Sequence, residues 1–217
     1  MQDFLKVTGM VIKVFPQGDY NRRIVLLTRE HGKITAFVNG ARKQGSRFAA
    51  STDLFVFGTF ELYVGKDAYN VQNAEILNYF EFLRIDMEAA YYGMYFLELS
   101  DYYAREENDE ALLLLCVYRA LQGLKVKGLS NSLVKEVFET KLFIIEGEMI
   151  PPSSDGGFTK EFLDALSFYE ECSIEDLYKY PVDDSVLNQL ISFNKYQRKH
   201  LIDKKLNSLE ILETMVF

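Results

Sequence analysis

The apolar residues of this chain change their period once, near residue 80, and the change divides the molecule. Before it the pattern is that of strands. Lys6–Phe15 carries Val7, Val11, Ile12 and Val14, and Pro16-Gln17-Gly18-Asp19 after it is a turn signal. Arg23–Thr28 and Ile34–Val38 are two further strand-like runs, and the short Glu30-His31-Gly32-Lys33 connection between them predicts a hairpin. Leu54–Tyr63 reads as a fourth strand, with Gly58 inside it marking a bulge or bend. Val64-Gly65-Lys66-Asp67-Ala68 turns the chain, and Tyr69–Leu77 returns as a fifth. Five strands with the longer connection between the third and fourth match the plan of a small Greek-key barrel, the OB-fold. On pattern alone a generic five-stranded sheet is the alternative.

From about Phe80 the period becomes helical. Tyr91, Tyr95, Leu99 and Tyr102 recur at helical spacing within Met87–Tyr103. Such an aromatic stripe is more often core than a ligand surface. Asn108 or Asp109 caps a helix running through Leu121, and Gly123 ends it. Ser130–Glu146 predicts a long helix, closed by Gly147 and unable to continue through Pro151-Pro152. A polar Ser/Gly insert, 153–157, precedes helices expected over Thr159–Glu170, Ser173–Lys179, Asp184–His200 and Ser208–Met215. The expected organisation is therefore α+β: a five-stranded OB-fold barrel over residues 1–79, then an all-α helical domain over 80–217. A cysteine-free insert near 150–158 interrupts the latter.

Composition narrows the class. A chain of 217 residues that is 48% hydrophobic has ample material for a core. Its two cysteines, Cys116 and Cys172, lie far apart with no CxxC, which argues against a disulfide framework or a zinc ribbon. No basic segment followed by an apolar run opens the chain, and the strongest apolar run, Ala111–Val117, is too short to span a bilayer. The expectation is a soluble cytoplasmic protein with no membrane partner.

Charge changes the picture more. The net charge is −8, yet residues 1–50 hold nine Lys/Arg against three acids. Gly40–Phe48 alone carries Arg42, Lys43 and Arg47 and no acid. A basic segment on an acidic protein points to an anionic partner. The candidate set is Arg22, Arg23, Arg29, Lys33, Arg42, Lys43 and Arg47, which form one electropositive surface if the hairpin and the loop after the third strand lie close. Nucleic acid suits such a surface, because phosphate contacts release counterions. Solvated surface cations with incidental pairing to acids are the plain alternative. Phe37 and Phe48 are candidates for base stacking, although strand alternation at Phe37 and the alanines after Phe48 favour core packing for each.

Enzyme chemistry finds little support. The chain has no phosphate-binding glycine loop, no dinucleotide fingerprint, no nucleophile elbow and no HExxH. His31 falls in a turn and His200 at a helix end, and Glu106-Glu107 and Asp183-Asp184 read as cap and loop charges. No catalytic residue and no cofactor are expected.

One block is specific enough to suggest a family. Leu26-Leu27-Thr28-Arg29-Glu30-His31-Gly32-Lys33-Ile34, followed by Asn39-Gly40-Ala41-Arg42 and Ser46-Arg47, resembles the N-terminal domain of the RecO family of recombination mediators. That domain carries a T-x-E-x-G-K/R hairpin, then a K-G-A-R-like loop and S-R. Weaker, collinear matches are Ala89-Ala90-Tyr91-Tyr92 through Leu97-Glu98-Leu99, Phe143 to Pro151, Arg198-Lys199-His200-Leu201 and Lys205-Leu206-Asn207-Ser208-Leu209. There are two departures. Many relatives place four cysteines after the G-x-x-P segment, whereas Pro151–Phe158 has none, so no metal is expected. Asn39 stands where the family has a lysine, one cation fewer, with Lys43 available to compensate.

The resemblance implies a bacterial, nucleoid-associated mediator. It would bind single- and double-stranded DNA and anneal complementary strands. With RecR it would help load RecA onto DNA coated by single-stranded-DNA-binding protein (SSB). The acidic, hydrophobic tail of that protein would dock in the helical domain, for which Arg119, Lys125 and Lys127 beside Leu112–Leu115 are the candidates. Ordinary cations at a helix C-terminus would look the same. Lacking a nucleotide motif, such a mediator would act through binding energy. A protein–protein adaptor whose basic barrel docks an acidic partner is the alternative, and a nuclease a distant third.

Overall fold

Five strands close into a barrel in the order β1-β2-β3-β5-β4. The computed structural model describes residues 4–65, 68–153 and 156–215. The strands are β1 (Phe4–Gln17), β2 (Asn21–Thr28), β3 (Gly32–Val38), β4 (Phe57–Val64) and β5 (Tyr69–Asn78). All neighbours are antiparallel except β3 and β5, which meet in parallel at Ala36↔Tyr69 and Phe37↔Asn70. This is the OB-fold topology, with the four-residue helix α1 (Phe48–Ser51) in the β3–β4 connection.

A slip in β1 shapes everything that follows. The register between β1 and β2 shifts between Val11 and Lys13. There the Val11 N–H bonds to the Val56 carbonyl at 2.9 Å, and the Phe55 N–H bonds to the Val11 carbonyl at 3.0 Å. A bulge adds one residue to one strand and so inverts the inward parity. Val7 and Val11 point into the core before it, and Val14 does so after it. Lys13 and Phe15 are thereby turned to the outer face. The core is completed by Ile24 and Leu26 of β2, Ile34, Ala36 and Val38 of β3, Phe60 and Leu62 of β4, and Val71 of β5. Gly58 sits at a second register shift, between β4 and β5, as its place in the strand predicted. A Cβ there would lie 2.3 Å from the Glu75 carbonyl oxygen, so only glycine allows the approach.

Four expectations need correction. β1 runs on through Pro16 to Gln17, and the turn is confined to Gly18–Tyr20. β4 begins at Phe57 rather than Leu54, because Phe55 adopts φ 70° and breaks the extended run. The helix expected over Ser173–Lys179 is a 3-10 turn, Ile174–Asp176. Neither α1 nor the 3-10 turn Glu81–Arg84 was anticipated, each being too short to carry a periodic pattern. Lys66 and Asp67 of the expected β4–β5 turn, and Ser154 and Asp155 of the polar insert, lie outside the described residues.

The helices are α2 (Met87–Tyr103), α3 (Ala111–Gly123), α4 (Asn131–Ile145), α5 (Lys160–Glu171), α6 (Asp184–Leu201) and α7 (Asn207–Thr214). By contacts the chain forms two compact units. The first comprises Met1–Asp86 with Leu97–Leu114, and the second Met87–Phe96 with Leu115–Phe217. In the first unit the segment after α2 is bonded to the β2–β3 turn. The Lys33 N–H reaches the Arg105 carbonyl at 2.8 Å, and Gly32 bridges to Glu106. Gly32 has φ 58°, and a Cβ on it would lie 2.0 Å from the Arg105 carbonyl oxygen. The aromatic stripe is core, with Tyr95 and Leu99 fully buried and Tyr91 and Tyr102 half-buried.

The second unit is built round Phe96, Phe138, Leu142 and Phe143, all buried. It also buries a charged network. Lys135 Nζ lies 2.6 Å from Glu136 Oε1 and 2.8 Å from Glu139 Oε1, and Arg198 pairs with the other Glu139 oxygen. The Tyr95 hydroxyl donates to Glu139 at 2.8 Å, and Asn194 Nδ2 donates to Glu136 Oε2 at 2.9 Å. Burial pushes the Glu139 carboxyl up, but Lys135 and Arg198 outweigh it and hold the group below the usual carboxylate range.

Candidate nucleic-acid interface

The β2–β3 register places the seven candidate cations at two ends of one hairpin. Arg22 pairs with Val38 and Arg23 with Phe37, whereas Lys33 pairs with Leu27 at the far end. The loop bearing Arg42, Lys43 and Arg47 follows Val38, beside Arg22 and Arg23. Arg29 and Lys33 flank the opposite turn, four to seven residues from Arg22 and Arg23 and so roughly 13–23 Å along the strand at about 3.3 Å per residue. The structure thus brings five of the seven together and leaves two apart.

At the five-cation end the loop is tied down by polar contacts. Asn21 Oδ1 accepts the Gly40 N–H at 2.8 Å, and the Arg42 N–H bonds to the Tyr20 carbonyl at 2.9 Å. Arg42 Nη1 donates to the Gly18 carbonyl at 3.1 Å. Arg47 Nη2 donates to the Gln72 carbonyl at 2.8 Å, and its Cζ stands 4.6 Å from the centre of the Phe48 ring. Lys43 Nζ lies 5.7 Å from the centre of the Tyr20 ring, and Arg23 Cζ lies 4.6 Å from that of Phe15. Arg22, half-buried with the parity of the inner face, closes the barrel end by donating to the Ala49 carbonyl at 2.7 Å. Among the described residues no carboxylate pairs with any of these five. Their partners are carbonyls, a threonine hydroxyl and ring faces, which leave the positive charge uncompensated.

The other end is neutralised. Asp101, near the end of α2, lies 2.5 Å from Lys13 Nζ and 3.3 Å from Lys33 Nζ, and its carbonyl accepts from Lys33 at 2.9 Å. Burial alone would raise the Asp101 carboxyl, but bonds and charge from the two lysines hold it below the usual carboxylate range. Arg29 pairs with Glu30 at 3.6 Å in the open.

The two aromatic candidates part company. Phe48 packs against the barrel core. Phe37 is half-buried on the outer face, where it lines an open cleft of about 750 Å³ with His31, Lys33, Tyr69 and Glu106. Phe15 and Tyr20, 37% and 57% exposed, were not singled out by the sequence. The bulge hid the outward parity of Phe15, and Tyr20 sits in a turn that periodicity does not describe.

In the second unit, Arg119 Nη1 donates to Gln122 Oε1 at 2.9 Å, and the Lys125 N–H reaches the Gln122 carbonyl at 3.1 Å. Lys125 and Lys127 are exposed on either side of Val126, which is also exposed. Among the described residues no three His, Cys, Asp or Glu side chains are placed to hold a metal ion. None of their helices is long and apolar enough to cross a membrane.

The closed barrel, with a cationic end that no carboxylate pairs among the described residues, defines an OB-fold protein. Comparison with known proteins shows what the chain resembles. The model described as "Recombination protein O N terminal" matches residues 1–80. The "DNA repair protein RecO" of Acetivibrio thermocellus is 25% identical over 98% of each chain. That of Bacillus pumilus is 26% identical over 91% of this chain and 79% of its own. The protein of the same name from Clostridium novyi is 31% identical over 65% of this chain, a match that spans 56% of that relative's length. Residues 1–80 thus match the N-terminal domain model of recombination protein O, and most of the chain is similar to proteins named DNA repair protein RecO.

Proposed function

We propose that this protein is a non-enzymatic DNA-repair mediator that holds DNA on the cationic end of its barrel. The observation that carries the reading is the group Arg22, Arg23, Arg42, Lys43 and Arg47, gathered at one end of the hairpin with no carboxylate in an ion pair with any of them among the described residues. Phosphates supply the missing counter-charge, and their contacts release condensed cations. Single and double strands both present that backbone, so both are ligands. Annealing follows from the same charge, because neutralising two repelling backbones at once lets complementary bases meet. The relatives' name supports a repair role.

Partners complete the proposal. The mediator works with RecR to help load RecA onto SSB-coated DNA, in the bacterial cytoplasm near the nucleoid. The SSB tail docks in the helical part, with Arg119, Lys125 and Lys127 as candidate contacts beside the exposed apolar side chain of Val126.

Fluorescence anisotropy of labelled single-stranded DNA across a salt series tests the reading. Binding should weaken with a log–log slope of about −0.7 per phosphate contact. Absence of binding at low salt, or binding indifferent to salt, would overturn it. Reversing Arg42, Lys43 and Arg47 separates it from a protein adaptor: a mediator loses annealing, whereas an adaptor keeps annealing and loses a protein partner. A series with the SSB tail peptide tests the second contact.

A further inference from the structure

The outer face of the barrel carries a cross-strand row that the charge argument does not use. Phe15 of β1 is paired with Arg23 of β2, and Arg23 is paired with Phe37 of β3. Residues directly opposed in a ladder project from the same face, so Arg23 is the middle member of a row of three, and its guanidinium is set against the Phe15 ring. It lies 4.6 Å from the centre of that ring. Two and four residues along the same face of β2, Val25 and Leu27 are buried, and there Lys13 and Lys33 are held by Asp101. The row is therefore the part of this face left open, and Tyr20, carrying Lys43 over its ring, stands beside it at the β1–β2 turn. Neutralising phosphate needs cations but no exposed rings. Rings held at this end of the barrel, two of them with a cation at the face, offer what an unstacked base lacks: a flat apolar surface beside a positive charge.

We propose that Phe15, Arg23 and Phe37, together with Tyr20, form a base-stacking surface that makes this end of the barrel prefer unpaired bases to duplex. The proposal rests on the reading that DNA binds here, and it adds which part of the DNA is read. Phosphates are held by Arg42, Lys43 and Arg47, and one or more bases lie against the aromatic row. In a duplex the bases are already stacked on one another and the row gains nothing.

The test uses the full chain with three probes: oligo-dT, an abasic oligomer of the same length and charge, and an oligomer carrying 2-aminopurine. The wild type should bind oligo-dT more tightly than the abasic strand, and 2-aminopurine emission should fall on binding. Phe15→Leu and Tyr20→Leu keep apolar bulk and remove the ring. Each should weaken oligo-dT binding by about five- to a hundredfold, leaving the abasic strand and the salt slope unchanged. Equal wild-type affinity for the two strands, unchanged 2-aminopurine emission, or equal losses on both strands in the variants would overturn the stacking surface while leaving phosphate binding intact. Failure of the wild type to bind any of the three would overturn the DNA reading, and this proposal with it.

Discussion

The molecule uses its cations in two opposite ways. In the second unit Lys135 is buried and Arg198 half-buried with Glu136, Glu139, Asn194 and Tyr95, and each charge meets its counterpart within the protein. At the barrel end Arg23, Arg42, Lys43 and Arg47 are exposed, and among the described residues their side-chain partners are carbonyls and ring faces. A carbonyl fixes the direction of a guanidinium without cancelling its charge. The barrel end is thus a set of oriented, uncompensated cations, whereas the buried network is closed to any outside anion. Lys13 and Lys33 stand between the extremes: they lie on the barrel, but Asp101 has taken their charge. Counting basic residues would put all of them together. Their neighbours sort them into structure and binding.

The comparison breaks most visibly in the buried network. Arg198→Ala strips Glu139 of one cation in a fully buried site, and the protein should lose about 3–5 kcal/mol of stability in urea denaturation. A loss near zero would mean that the network is not closed as described. Charge reversal of Arg42, Lys43 and Arg47 comes next, and it should act on binding rather than folding. The salt slope should shrink by about 2 if each cation contacts one phosphate, while the unfolding midpoint moves far less than in Arg198→Ala. A large stability loss with an unchanged slope would reverse the roles assigned to the two regions.

Asp101→Asn sharpens the intermediate case. It releases Lys13 and Lys33, so the salt slope should steepen slightly and affinity for single-stranded DNA should rise. The folded carboxyl titrates below its unfolded value of about 3.9. Its contribution to stability is therefore present above that pH and lost as the pH falls through the folded value. Stability measured in urea at a series of acid pH values should fall more steeply in the wild type than in Asp101→Asn, whose curve lacks this component. The smallest effect belongs to Arg29→Glu. Arg29 is exposed, paired with Glu30 and distant from the loop, so the slope should change by less than the 0.7 or so of one full phosphate contact.

Much of this architecture was legible before the structure. Alternation placed all five strands, and Gly58 marked a true register shift because no other residue fits against Glu75. Helical spacing placed the main helices, and the structure starts three of them at caps on Ser130, Thr159 and Asp183, each accepting an N–H three residues on. What could not be read was set by contacts distant in sequence. The β1 bulge depends on backbone bonds that bring Phe55 and Val56 to Val11, and so the outward turn of Phe15 was invisible. Capture of Lys33 by Asp101, 68 residues away, removed a cation that looked free. The buried network joins α2, α4 and α6, and no local pattern announces it.

The central claim is a location, and cross-linking tests it most directly. A single strand bearing photoreactive thymines, bound to the protein at low salt and irradiated, should attach to peptides from residues 13–23 and 37–48. Attachment instead to peptides of the second unit, such as those holding Lys125 and Lys127, with the barrel end unmarked, would contradict the account.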